Sequence, residues 1–215
     1  LPVENIELLS RYGSADGAVQ LDRLGGVAWQ TRKARLKQRI RAIAAELIKI
    51  AALRQLREAP SMTPSEGAFD EFVARFPYGE TEDQTASIAT VLEDLASGKP
   101  MDRLVIGDVG YGKTEVAMRA AALVALAGKQ VVIAAPTTVL VRQHLEGFRQ
   151  RFERTGLKVA SLSRLSDATE RKRVKAGLAN GSISVVVGTG AVAAKDVAYA
   201  KLALVVIDEE QRFGA

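Results

Sequence analysis

Short apolar runs rich in valine and isoleucine interleave with helix-period stretches through most of the chain beyond residue 80, and this alternation decides the fold class. The runs lie at 103–106, 130–135, 158–162, 184–187 and 202–207, and the helical segments at 81–96, 113–127, 138–154 and 168–180. Strands this short, joined by helices of a dozen residues, require right-handed crossovers and a parallel sheet covered on both faces. The predicted fold is therefore α/β, with a parallel sheet flanked by helices. A chain of 215 residues suits one core, or one core with a short appendage.

Before this region the pattern is different. Leu36, Ile40, Ile43, Leu47 and Ile50 recur at helical spacing with no glycine or proline between them, which predicts one long amphipathic helix over 27–58. Between Thr31 and Arg57, nine basic residues (Arg32, Lys33, Arg35, Lys37, Arg39, Arg41, Lys49, Arg54 and Arg57) face one acid, Glu46, whereas the rest of the chain carries a slight acidic excess. The net charge of +5 thus belongs to one element. It reads either as a solvated face on a helix packed against the main domain, or as a basic arm for DNA phosphates or an acidic protein surface. The segment 59–67, with Pro60, Pro64 and Gly67, ends the helix as a linker, and a short helix over 69–75 and an extended 76–79 follow. Residues 3–9 have strand-like content without a nearby partner. The start at Leu1-Pro2, without methionine, reads as excision from a longer protein.

The absence of cysteine excludes a disulfide scaffold, a thiolate metal site and a cysteine nucleophile; a single histidine, His144, argues against multi-histidine metal sites and triad hydrolysis. No apolar stretch approaches the roughly 20 residues that span a bilayer, and no leader opens the chain. The expectation is a soluble, cytoplasmic protein with no membrane partner.

The chemistry is concentrated at Gly107-Asp108-Val109-Gly110-Tyr111-Gly112-Lys113-Thr114, which matches G-x-x-x-x-G-K-[ST] directly after the apolar run and before a strong helix pattern. Glycines let the backbone wrap an anion, and the helix N-terminus adds positive potential. Lys113 is expected to reach the β- and γ-phosphates, and the Thr114 hydroxyl to ligate Mg²⁺. A phosphate loop needs a carboxylate from a neighbouring strand, and Leu204-Val205-Val206-Ile207-Asp208-Glu209-Glu210-Gln211 supplies it. Asp208 is the expected metal-side acid, and Glu209 the base that orients the attacking water. His144 falls in a helix pattern and is expected to be structural or at the surface. Thr81-Glu82-Asp83-Gln84 reads as a capping box; alternatively, the Gln84 amide offers a donor and an acceptor for an adenine edge, with Phe76 as a stacking face.

This set, with Glu115, Pro136-Thr137-Thr138, Ser163-Arg164, Gly188-Thr189 and Asp208 through Gly214, resembles a superfamily-two helicase motor, and more narrowly the bacterial transcription-repair coupling factor family. The similarity extends to Pro2 through Ile6 and Leu24 through Trp29. The resemblance implies a RecA-like P-loop nucleotidase lobe over 68–215. It implies a connecting helix and linker over 27–67, and the tail of an RNA-polymerase-interacting domain over 1–26. It implies ATP and Mg²⁺ as cofactors, with nucleotide contacts from Phe76, Gln84, Gly107, Gly110, Gly112, Lys113, Thr114 and Glu115. It also implies DNA-phosphate contacts from Thr137, Arg164 and Thr189. The implied activity is that of an ATP-driven double-stranded DNA translocase acting on stalled RNA polymerase and recruiting excision-repair proteins. The alternatives are a branch-migrating helicase lobe, or a partner-docking module in which nucleotide is incidental. Gly190 and Gln211 depart from the histidines usual in the family. With no second lobe or its arginine within the sequence, the chain by itself is expected to bind nucleotide, to hydrolyse it barely and not to translocate.

Overall fold

The computed structural model describes residues 26–64, 67–164 and 166–212. The strand-like reading of 3–9, the other residues through 25, and Phe213-Gly214 lie outside the described residues. The chain divides into two units, Leu1–Leu53 and Arg54–Ala215.

Helix α1 spans Val27–Gln55, three residues short of the expected end. None of its residues is buried, and its stripe of Leu36, Ile40, Ile43, Leu47 and Ile50 is 47–61% exposed. The uninterrupted run of good helix formers accounts for the element, and its apolar spacing does not bury a face.

In the second unit, α2 (Ala68–Ala74), α3 (Glu82–Ala96) and α4 (Lys113–Leu126) precede the first strand. Then β1 (Gln130–Ala134), α5 (Thr138–Phe152), β2 (Val159–Leu162), α6 (Ala168–Ala179), β3 (Val185–Gly188) and β4 (Leu202–Ile207) follow. The sheet has the order β2-β3-β1-β4 and every pairing is parallel, with Ala134 opposite both Gly188 and Ile207 and Leu162 opposite Gly188. The strands therefore end along one rim.

Alternation along each strand divides the core. Val131, Ile133, Val185 and Val187 point to the face packed by α3, α4 and α5, where Val116, Leu123, Phe148 and Phe152 close the layer. Val132, Ala134 and Val186 point the other way, onto Val174 and Leu178 of α6. Each fully buried valine or leucine contributes about 1.5–3 kcal/mol. The almost entirely buried α4 fixes what precedes it, because its N-terminus cannot shift without breaking this layer. One buried polar residue ties the layers: Gln130 donates through Nε2 to Leu178 O and Ile183 O, both at 2.9 Å, and accepts from Lys201 N at 2.8 Å.

One expectation needs correction. The run at 103–106 forms no strand: a strand exists only through its ladder, and among the described residues this segment pairs with none of β1–β4. Leu104 is 69% and Ile106 86% exposed, and a cavity of about 1130 Å³ is lined by this segment on one side and by β4 on the other. The described part of the linker is held against the fold. Met62 is buried, Ala59 N and Met62 N donate to Gly98 O and Leu95 O, and Ser61 Oγ donates to Ala96 O, so the segment docks on the end of α3.

Candidate functional site

The loop at 107–112 takes its shape from two left-handed glycines, Gly110 at φ 88° and Gly112 at φ 73°. Gly112 is the N-cap of α4, and a Cβ there would fall 2.2 Å from Gln84 Nε2, so both its backbone and its lack of a side chain are required. Lys113 opens the helix and folds back over the loop, its Nζ donating to Gly107 O and, at 2.8 Å, to Asp108 O. The lysine thus caps two carbonyls of the loop and holds its ammonium over it.

Gln84 forms the capping box in this structure. Its Oε1 accepts from Thr81 N at 2.9 Å and Thr81 Oγ1 accepts from Gln84 N at 3.2 Å, which is a complete capping box on α3. The other end of the same amide, Nε2, donates to Tyr111 O at 3.0 Å and so fastens α3 to the glycine loop.

Phe76 stands at the edge of a cavity of about 1010 Å³, whose lining includes Gln84, Gly110, Gly112, Thr114 and Glu115. The ring meets Tyr78 edge-on at 5.6 Å, with the guanidinium groups of Arg151 and Arg119 5.5 and 5.8 Å from its centre. A charge network holds this platform. Glu115, 4% exposed in its side chain, accepts on Oε1 from Arg119 Nε at 2.9 Å and from Arg151 Nη2 at 2.8 Å. Arg119 also pairs with Glu80, and Arg151 covers Phe72 at 4.5 Å and donates to Phe72 O at 3.2 Å. The Glu115 carboxylate is thereby turned toward arginines.

The second cavity, between segment 103–107 and β4, shares Thr114 with the first and is lined by Gly107, Lys113, Asp208 and Glu209. Asp208 leaves β4 with its N–H on Ala134 O at 2.9 Å. Glu209 follows with φ 55°, a left-handed turn at a residue other than glycine, and its Oε2 accepts from Gln211 Nε2 at 2.7 Å. The two hard oxygen donors expected for a divalent cation, the Thr114 hydroxyl and the Asp208 carboxylate, thus face one cavity; this donor chemistry fits Mg²⁺, which takes one or two protein carboxylates and completes its shell with phosphates and water.

His144, expected to be structural or at the surface, takes the structural alternative. It lies on α5 with its side chain 11% exposed, and its Nε2 is 2.7 Å from Asp208 Oδ2. Its place is therefore against the acidic residue and not at the surface. Arg119, four residues after Glu115, could have been found from helical spacing. Arg151 and His144 could not, since their partners are 36 and 64 residues away.

Thr137, Arg164 and Thr189 follow β1, β2 and β3, so the strand order places them along the rim that ends at Asp208. Thr137 is exposed and is the N-cap of α5, its hydroxyl accepting from Leu140 N at 3.3 Å. Arg164 is exposed and Thr189 half-buried. Lys113, Thr114, Asp208 and Glu209 line the cavity beside β4, and these three residues lie along the rim away from it.

Residues 81–215 match the DEAD/DEAH box helicase family. Over its full length the chain is 45% identical to the transcription-repair-coupling factor of Rickettsia bellii and 40% to that of Escherichia coli, and it spans about a fifth (19%) of each. A solved structure of RecG bound to a three-way DNA junction superimposes with a TM-score of 0.71 at 36% identity, covering 78% of this chain and 23% of that one. A hypothetical ATP-dependent RNA helicase from Sulfolobus tokodaii shares the fold at 21% identity and a TM-score of 0.53, over 68% of this chain and 42% of the other. With its parallel sheet flanked by helices, its glycine loop and this similarity over 81–215, the chain belongs to the DEAD/DEAH box helicase family.

Proposed function

We propose that this chain is the Mg²⁺–ATP-binding lobe of a double-stranded DNA translocase that acts on stalled RNA polymerase and couples transcription to excision repair. The observation that carries the nucleotide part is that two cavities meet at Thr114, one walled by Phe76 and Gln84, the other by Lys113, Asp208 and Glu209. Phe76 would stack the base and Gln84, released from Thr81 N and Tyr111 O, would read its edge, while Gly107 to Gly112 would hold the phosphates. Lys113 leaves the Gly107 and Asp108 carbonyls for the β- and γ-phosphates. Thr114 and Asp208 hold Mg²⁺, which neutralises phosphate charge when bound. Glu209 orients the attacking water and accepts its proton. Glu115 supports the site through Arg119 and Arg151.

Thr137, Arg164 and Thr189 track DNA phosphates along the rim, a reading supported by their shared edge of the sheet and by the DNA-bound neighbour. The domain reading places the nucleotidase lobe at 68–215, the connecting helix and linker at 27–67, and the tail of a polymerase-interacting domain at 1–26. RNA polymerase and excision-repair proteins engage through parts of the parent mostly absent from this chain. No helix among the described residues is long and apolar enough to cross a membrane, and a cytoplasmic setting belongs to the same reading.

The test uses the whole parent protein. ATP-dependent displacement of a triplex-forming strand from duplex DNA, together with release of a stalled polymerase, is expected, and Lys113→Ala is expected to abolish both. Separation of forked DNA strands without polymerase release would favour the branch-migrating alternative, to which the RecG likeness points. The absence of both activities would refute the motor reading.

A further inference from the structure

The proposed site accounts for Asp208 but not for what holds it. Asp208 sits at the end of β4, with its backbone fixed to β1 and its side chain 31% exposed at the mouth of the cavity. A carboxylate in that position can turn about its side-chain bonds, and a metal-side acid is useful only when one oxygen keeps facing the ion. His144 reaches it from α5, a helix anchored in the core by Val141, Phe148 and Phe152. Its ring is nearly buried and approaches Asp208 Oδ2 at 2.7 Å. A carboxylate only accepts, so Nε2 carries the hydrogen and donates it. Oδ2 is thereby taken, and Oδ1 is left for the cavity.

We propose that His144 is a positioning residue for Asp208, fixing the carboxylate from α5 so that Oδ1 is presented to a divalent cation bound with nucleotide. The proposal rests on the reading of Asp208 as the metal-side acid. His144 touches neither phosphate nor ion in this arrangement. It acts through Asp208, and it also links that acid to the helix whose N-cap is Thr137, two turns away on the rim. Outer partners of this kind typically govern metal affinity by about 10- to 100-fold.

The experiment titrates the whole chain with fluorescent ADP in EDTA and at increasing Mg²⁺, for the wild type, His144→Ala, His144→Gln and Lys113→Ala. The expected result has three parts. His144→Ala binds ADP in EDTA as the wild type does but needs about 10-fold more Mg²⁺ or greater to reach the tight state. His144→Gln, whose amide can donate to the same oxygen, recovers most of that loss. Far-ultraviolet circular dichroism and the melting midpoint in EDTA stay near wild type for the glutamine variant. An unchanged or lower Mg²⁺ requirement in a folded His144→Ala would overturn the proposal, the latter by showing that the ring competes with the ion. Equal losses with and without Mg²⁺ in both variants would also overturn it, by assigning His144 a purely structural role. Wild-type chain that binds no ADP, or binds it as well after Lys113→Ala, would fail earlier, at the nucleotide reading itself, and would take this proposal with it.

Discussion

Replacing Glu115 with alanine should destabilise the nucleotidase unit far more than a one-carboxylate deletion at the surface. The Glu115 side chain is 4% exposed and its Oε1 serves both Arg119 and Arg151, whose side chains are 6% and 12% exposed. Without it, the nearly buried Arg119 keeps only Glu80 as an acidic partner, and the nearly buried Arg151 loses the carboxylate it bonds. Arg151 would keep a single acceptor, Phe72 O, with its Nε already lacking any partner. Breaking a buried pair by removing one member costs about 3–5 kcal/mol, because the surviving charge stays buried. At about 2–4 °C per kcal/mol for a protein of this size, the melting midpoint should fall by roughly 6–20 °C. Glu115→Gln, which keeps an oxygen acceptor and loses the charge, should fall in between. The assay is thermal unfolding of the full chain followed by circular dichroism at neutral pH and moderate salt. A drop of less than about 2 °C for Glu115→Ala, well below the range that follows from the same conversion, would refute the reasoning. It would mean that water reaches these arginines and that the platform under Phe76 does not depend on the network.

Other substitutions probe separate parts of the account. Gln130→Leu strips the side-chain partner from Ile183 O and Lys201 N, whereas Leu178 O keeps Ala200 N; at about 1–3 kcal/mol for a buried group left unsatisfied, the stability measured by urea unfolding should fall by a few kcal/mol. Gly112→Ala meets both a φ of 73° and the Gln84 amide, so it should weaken ADP binding while leaving the melting midpoint within a few degrees of wild type. Burial pushes the Tyr199 hydroxyl from 10.0 up to about 12, and the hydroxyl donates to Val192 O. Its neutral form is the one that the fold favours, so its contribution is complete below pH 10 and is lost as pH rises toward 12. Denaturant titrations across that range should show a steeper loss for wild type than for Tyr199→Phe.

Much of this architecture could be read from the sequence because periodicity and motif chemistry are local. The valine-rich runs at β1, β3 and β4 and the helices between them form close to where the pattern puts them, since each run is bounded by helix signals and buried on at least one face. The same logic failed at 103–106. Its composition is that of a strand, but strandedness is a property of a pair, and a single segment's sequence does not reveal whether a ladder lies beside it. The apolar spacing of α1 predicted a helix and gave it correctly, whereas burial of that stripe depends on a partner that no periodicity identifies. In the site, the glycine loop and the Asp208-Glu209 pair announce themselves by spacing. The supporting groups do not. His144 and Arg151 are single polar residues on one helix whose significance arises only when the sheet order brings β4 and α4 against α5.

The central claim is that the loop at 107–114 binds nucleotide phosphate within this single lobe. Calorimetric titration of the purified chain with Mg²⁺–ADP, alongside Lys113→Ala, tests it most directly. The account predicts saturable one-to-one binding by the wild type that Lys113→Ala loses. Absence of heat and of saturation in the wild type, or equal binding by the variant, would contradict it.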